Sequence, residues 1–357
     1  MNIRPMPSLV FYTVTNSRYY PGTIAALSSI RGFHPESPIW IFSETRRPLT
    51  RAQIGHLASL SDVHYVSPSE ISVGSVKEAW QLKAHAARFL SGHGADCVIQ
   101  VDSDAILCSS LAVLAEEAIR RKAPAGGQDG KERRYDAPAY APYYVLCGVE
   151  PFVAPQHSSP YISTSILFLP LPDLAEILDL WSRAVDEAEF GPKNRPVRIY
   201  AGYSDQGVFN ALLHFKGVAP LVLDNDLLSQ HWVHGKHKME ISEGAFWNNG
   251  RRQIAFHSVN KSPKFWTPDY PKYIAASGNL EEVYRYWLWL LFEGPCGLLR
   301  GVGEEALIRD RADYFPGLAH DLLCRRRELR AYSGAVIFCP ASQARNSVCH
   351  SSHIGPL

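Results

Sequence analysis

CVIQVDSDAILC, residues 97–108, decides how this chain folds. Cys97 to Val101 is a short apolar run broken only by Gln100, the composition of a strand buried on both faces. The run stops at Asp102-Ser103-Asp104, and the apolar segment Ala105 to Cys108 follows directly. Residues two apart along an extended chain face the same side, so Asp102 and Asp104 can converge on one cation at the strand's carboxyl end. Taken alone, Asp-Ser-Asp also suits a turn in which the carboxylates cap backbone N–H groups.

Working outward, strands and helices alternate through the first hundred residues. Leu9 to Thr15 (LVFYTVT) is β-branched and aromatic, and Tyr20 to Ile30 (YPGTIAALSSI) puts Pro early and helix formers after it. Pro38 to Phe42 reads as strand, Arg51 to Leu60 as helix and Val63 to Val66 as strand. Val76, Ala79, Trp80, Leu82, Ala86 and Phe89 recur at helical spacing. This alternation implies an α/β fold with a mainly parallel sheet covered on both faces, with ligands beyond the carboxyl ends of the strands.

Beyond the decisive segment, residues 123–160 open with APAGGQDGKERRYDAP and read as a long loop region. Tyr161 to Leu169 reads as strand, Asp173 to Ala188 and Asp205 to His214 as helices, and Ile254 to Val259 as strand. From about Gly294 the pattern weakens into a peripheral tail whose last ten residues read as disordered.

With 357 residues, 46% hydrophobic and 20% charged, the chain can bury a full core and is neither disordered nor coiled-coil in composition. Thirty-six Lys+Arg against 35 Asp+Glu gives a net charge of +1, which excludes a global basic field for nucleic acid. Only a local patch such as Arg325-Arg326-Arg327 could contact one. The seven cysteines are scattered without a C-x-x-C pair, which fits neither a zinc site nor a disulfide framework and points to a reducing cytoplasm. The first twenty residues lack a signal-peptide pattern, and Tyr286 to Phe292 is far short of the ~20 residues that span a bilayer. Tyr284 to Phe292, with Arg285 and Arg300, leaves two readings: core packing, or an amphipathic helix in peripheral contact with a membrane. His231 to His237 holds three histidines but no acidic or Cys partner at useful spacing, so zinc is not expected there.

Five further segments stand in order around Asp102-Ser103-Asp104. These are Phe11 to Asn16 (FYTVTN) with Tyr19 and Tyr20, Trp80 to Lys83 (WQLK), Tyr161 to Phe168 (YISTSILF), Ser204 to Asn210 (SDQGVFN), and His257 to Trp266 (HSVNKSPKFW). Over about residues 8–270 this set resembles the GT-A (Rossmann-like) nucleotide-sugar glycosyltransferases. Within them it is most similar to glycosyltransferase family eight, the retaining group that includes glycogenin and bacterial lipopolysaccharide galactosyltransferases. The resemblance implies a catalytic domain over 1–275, with a nucleotide-binding half at about 8–120 and an acceptor half at about 121–275. Residues 276–357 would be a helical extension and tail.

The same resemblance assigns roles. Thr13, Thr15 and Tyr20 would hold the base and ribose, and Lys83 would lie near the donor phosphates. Asp102, Asp104 and His257 would bind a metal, with Asp102 and Ser103 also touching the donor. Two carboxylates and one imidazole suit manganese, with magnesium as a substitute. The family strand carries Asn-Ala-Gly where this chain has Ser163-Thr164-Ser165, so Ser163 and Ser165 stand at the donor-sugar positions with altered chemistry. Asp205 and Gln206 would act beneath the sugar ring, although Asp205 also suits ordinary capping of a helix start. Lys264 would reach the diphosphate, with Lys261 a rival because the last segment has one extra residue and Asn260 in place of Gly.

The implied reaction is transfer from a nucleotide sugar, a UDP-sugar, to a saccharide, glycolipid or small molecule with retention. Residues 123–160 and the aromatic segment Trp247 to Trp266 could shape the acceptor site. Two alternatives carry over. A sugar-phosphate nucleotidyltransferase would need a Gly-rich basic loop after the first strand, where this chain reads TNSRYYPGT. A noncatalytic glycan-binding protein of the same fold would have no need of the three metal ligands.

Overall fold

Seven consecutive buried residues, Leu9–Thr15, form β1, and their alternate side chains enter two separate cores. The computed structural model describes residues 7–71, 79–129, 146–148, 159–189, 205–224, 228–230, 239–242, 245–258, 264–267 and 281–298. Strand β1 lies between β2 (Ile39–Ser43) and β4 (Cys97–Val101), with β3 (Val63–Val66) outside β2, all mutually parallel. On the other side of β4 the direction reverses. The nine-residue strand β7 (Ile162–Pro170) runs antiparallel to β4 and to β6 (Ala125–Gln128), and β8 (Leu221–Leu223) pairs parallel with β6. The sheet order is therefore β3-β2-β1-β4-β7-β6-β8. This is the mainly parallel, helix-flanked α/β sheet that the sequence implies.

Phe11, Ile39, Ile41 and Ile99 face one core, which takes in α1 (Tyr20–Phe33), α2 (Arg51–Ala58) and α4 (Ala112–Arg121). Val10, Tyr12, Val14 and Val98 face the other, covered by α3 (Ala79–Ser91), α5 (Ala175–Glu189) and α6 (Asp205–Phe215). The period-two alternation along each strand is what feeds both cores at once. Local signals set several helix ends. Pro21 opens α1 where a missing N–H is harmless, and Thr50 with Gln53 forms a reciprocal capping box on α2.

Strand β6 falls inside the region expected to be loop. Its Ala-Gly-Gly-Gln composition carries no β-branched or aromatic signal, and packing decides the matter. A Cβ on Gly126 would come within 2.7 Å of the Ser163 carbonyl, so β7 can approach only a glycine there.

Helix α7 (Glu281–Phe292) resolves the two readings of its segment in favour of core packing. Val283, Tyr286, Trp287, Leu290, Leu291 and Phe292 are buried in the core shared with α1. The Tyr286 hydroxyl donates to the Leu107 carbonyl at 3.1 Å, and Cys296 N–H donates to Ser28 Oγ at 3.1 Å. Each such aromatic contributes roughly 1.5–3 kcal/mol by burial. Among the described residues no helix is long and apolar enough to cross a membrane. Cys97, Cys108, Cys147 and Cys296 are buried free thiols.

Two small sheets flank the main one. β5 (Ala105–Leu107), β13 (Ala255–His257) and β9 (Leu228–Gln230) form one, and β10 (Met239–Ser242), β11 (Ala245–Asn248) and β12 (Arg251–Arg252) form the other.

Candidate active site

Because β7 runs against β4, its beginning lies beside the end of β4. Asp102 N–H donates to the Ser165 carbonyl at 2.8 Å, just beyond the Val101–Ile166 pair. The chain then turns, with Ala105 N–H bonded to the Asp102 carbonyl at 2.9 Å, and enters β5. Antiparallel pairing of β5 with β13 sets His257 opposite Ala105, and Ser258 N–H donates to the Asp104 carbonyl at 2.9 Å. A residue 153 positions away is thereby fixed next to the Asp-Ser-Asp turn. Helix α1 abuts the same turn. A Cβ on Gly22 would meet the Ser103 carbonyl at 2.2 Å and the Trp266 ring at 2.5 Å.

The four carboxylate oxygens of Asp102 and Asp104 divide their partners. Lys83 Nζ lies 2.7 Å from Asp102 Oδ1, which also accepts from Gln100 Nε2 at 2.8 Å. Lys264 Nζ lies 2.5 Å from Asp104 Oδ2 and also donates to the Ser258 carbonyl at 2.6 Å. The remaining oxygens, Asp102 Oδ2 and Asp104 Oδ1, lie 3.5 Å and 3.1 Å from His257 Nε2. One ligand atom from each of the three residues lies within 4.8 Å of the others. Two carboxylate oxygens and an imidazole nitrogen at this spacing fit a divalent cation that accepts both ligand types. His257 Nδ1 is buried without a partner among the described residues.

Charge holds the group together. Burial pushes Asp104 up, but His257 and Lys264 outweigh it and hold the carboxyl well below its usual range. Burial raises Asp102 against the pull of Lys83 and His257. Burial also opposes the charge on Lys83, yet the Asp102 and Asp205 carboxylates win and raise it above the ordinary lysine range. Lys83 connects the two halves of the site, because its Nζ is also 3.1 Å from Asp205 Oδ2. Among the described residues the carboxylates of Asp102, Asp104 and Asp205 thus face the ammonium groups of Lys83 and Lys264 and the imidazole of His257.

Asp205 and Gln206 open α6 against the start of β7. Thr164 Oγ1 donates to Asp205 Oδ2 at 2.6 Å, and Thr164 N–H donates to Gln206 Oε1 at 3.2 Å. Gln206 Nε2 donates to Asp129 Oδ2 at 2.5 Å. Asn210, one turn on, is structural. Its amide accepts from Ile162 N–H at 2.9 Å and donates to the Ile162 carbonyl at 2.8 Å, pinning α6 to β7.

Of the residues singled out from sequence, Lys83, Asp102, Asp104, Asp205, His257 and Lys264 form one connected cluster. Gln206 joins it through Thr164. Ser163 and Ser165 are buried beside it, their hydroxyls 2.9 Å apart, and the Ser165 carbonyl holds Asp102. Ser103 is buried with its carbonyl toward Gly22. Thr13 and Thr15 are buried in β1, and Thr15 Oγ1 pairs with Thr23 Oγ1 at 2.5 Å. Tyr20 packs toward α2, its hydroxyl 2.6 Å from His56 Nδ1 and 3.3 Å from the Gln53 carbonyl. The neighbouring Tyr19 is the tyrosine that faces the cluster, with Lys264 Nζ 5.8 Å from its ring centre and Trp266 packed at 5.3 Å. Lys261, Ser204 and the His231–His237 segment lie outside the described residues.

Sequence reasoning missed Gln100, Asp129 and Thr164. Gln100 had a signal: it is the one polar residue in its strand, on the same side as Asp102. Asp129 and Thr164 had none, since their partners are far away in the chain.

No family model and no curated protein matches the chain. Among solved structures it is similar to the galactosyltransferase LgtC in complex with donor and acceptor sugar analogs, at 14% identity over 83% of this chain and 98% of that one, TM-score 0.49. It is similar to the apo structure of the bifunctional glycosyltransferase WbbM at 12% identity over 80% of this chain, TM-score 0.45, and spans 52% of that protein. An active-site mutant of LgtC is similar at 13% identity over 78% of this chain and 99% of that one, TM-score 0.44.

Proposed function

We propose that this chain is a metal-dependent glycosyltransferase that moves a sugar from a nucleoside diphosphate sugar, a UDP-sugar, to a saccharide, glycolipid or small-molecule acceptor with retention. The observation that carries this reading is the corner of Asp102 Oδ2, Asp104 Oδ1 and His257 Nε2, flanked by Lys83 and Lys264. A manganese or magnesium ion bound there would supply Lewis-acid stabilisation of the leaving diphosphate.

The chain's own residues account for the rest. Lys264 and Lys83 present two further positive charges to the same leaving group, where a preorganised charge acts without reorganisation. His257 would hold that ion through Nε2, the ring nitrogen that faces both carboxylates. Asp205 offers a carboxylate to the positive charge that develops on the sugar as the anomeric bond weakens, as carboxylates do in glycoside hydrolysis. A cytoplasmic setting, where thiols stay reduced, accords with the buried free cysteines.

The test is a panel of nucleotide sugars assayed for turnover with and without manganese, followed by mass-shift screening of acceptors and NMR of the first-formed product. Cation-dependent turnover and an α-linked product from an α-linked donor are expected. A β-linked product from that donor removes retention. Absence of turnover across the panel refutes the reading, and formation of a nucleotide sugar from a sugar phosphate and a nucleoside triphosphate replaces it with nucleotidyl transfer.

A further inference from the structure

The partners of Asp205 and Gln206 converge on Thr164. Its hydroxyl and Lys83 Nζ both bind Asp205 Oδ2, at 2.6 and 3.1 Å. Asp205 Oδ1 has no donor among the described residues. Gln206 is held at both ends of its amide, by Thr164 N–H at Oε1 and by Asp129 at Nε2. Thr164 and Asp205 are 2% and 6% exposed, so water does not compete for the bond between them.

Local structure explains why this position can act as a clamp. Successive side chains of a strand point to opposite faces. Ser163 and Ser165 point one way and bond to each other, which leaves Thr164 facing α6 alone. Threonine is stiff about χ1 because of its β-branch, so its hydroxyl is a fixed donor. A hydrogen bond to a charged group is about twice as strong as a neutral one. With Oδ2 fixed by two donors, the carboxylate plane is set and Oδ1 becomes the oxygen available to a substrate. The Gln206 amide oxygen accepts the Thr164 main-chain N–H at 3.2 Å.

Resting on the glycosyltransferase reading, we propose that Thr164 is a positioning residue that fixes Asp205 Oδ1 as the atom facing the positively charged sugar during transfer. Thr164 itself touches no substrate. It acts through its hydroxyl on Asp205 and its N–H on Gln206.

The test compares Thr164→Val, Thr164→Ala and Thr164→Ser in the full chain, using whichever nucleotide sugar the wild type turns over. Steady-state kinetics are paired with calorimetry of UDP in the presence of manganese. Misplacing a catalytic group by about 1 Å costs on the order of 10²-fold, so Thr164→Val should lower kcat by about 10- to 100-fold. Donor KM and UDP affinity should stay within about twofold, the pattern of an interaction made only in the transition state. Thr164→Ser keeps the donor and should recover kcat to within about threefold of wild type. Thr164→Ala should match Thr164→Val, and it carries the measurement if the valine variant does not fold.

Wild-type kcat in the Val or Ala variant overturns the proposal, as does equal loss in Val and Ser variants or a fall in UDP affinity parallel to kcat. A wild-type chain inactive on every nucleotide sugar is a different result. It removes the glycosyltransferase reading, whereas an active wild type with an indifferent Thr164→Val removes the clamp alone.

Discussion

Lys264 donates to Asp104 Oδ2 at 2.5 Å, with side chains only 13% and 11% exposed. The pair joins the segment after β13 to the turn after β4, so the two parts of the Asp-Asp-His corner are held by charge as well as by strand pairing. Removing one member of such a pair leaves the other charge buried, which typically costs about 3–5 kcal/mol before relaxation.

Lys264→Ala is therefore expected to lower nucleotide-sugar turnover by about 10²–10³-fold, the usual effect of losing one preorganised electrostatic contact. Lys261→Ala is expected to leave turnover near wild type. Kinetics on both variants check the assignment, and loss confined to Lys261→Ala would transfer the diphosphate role to that residue.

Asp104→Ala removes a carboxylate that faces both His257 and Lys264. It should abolish manganese-dependent nucleotide affinity while the chain retains its fold. Calorimetry with UDP, with and without manganese, measures the first, and circular dichroism measures the second. An unchanged metal-dependent affinity would show that the cation corner lies elsewhere.

His34 provides a pH prediction remote from the site. Its Nε2 accepts the Leu111 N–H at 3.0 Å, and burial pushes its pKa down to about 4. The unfolded chain takes up a proton near pH 6.5, whereas the folded one resists until about pH 4. The stabilisation is therefore complete above pH 6.5 and lost as pH falls toward 4, by up to about 1.4 kcal/mol per unit. Urea melts at pH 7 and pH 4.5 should show a smaller difference for His34→Gln than for wild type.

Gly22→Ala should damage both stability and activity. The added methyl would overlap the Ser103 carbonyl and the Trp266 ring, and overpacking of this kind costs about 1–3 kcal/mol. Relief requires α1 or the Asp-Ser-Asp turn to move. A lowered melting temperature with weakened manganese-dependent UDP binding is expected, and a variant with wild-type values for both would mean that the turn tolerates displacement.

Local pattern made the centre of the fold legible. The apolar run Cys97 to Val101 and its abrupt end at Asp102 identify both β4 and the carboxylate pair, because burial and chemistry change at the same residue. Strand β6 was illegible for the opposite reason: its Gly126 is required by the backbone of β7, a partner nearly forty residues further along the chain. The two tyrosines illustrate a finer limit. Tyr19 and Tyr20 are adjacent in sequence, and only the phase of α1 sends the first toward Lys264 and the second toward His56. His257 came into view through a family resemblance, since a three-residue strand carries too little periodicity to reveal its pairing with β5. Thr164 and Asp129 needed the folded chain.

The reversed strand β7 also gives the stretch between Asp129 and Tyr161 a stem. Asp129 N–H bonds the Tyr161 carbonyl at 2.9 Å, and Gln128 pairs with Ile162, so both ends of the stretch are stitched to the sheet next to Thr164. The same backbone pairing that closes this stem holds Asp129 within reach of Gln206, and so it also sets the Asp129–Gln206–Thr164 connection.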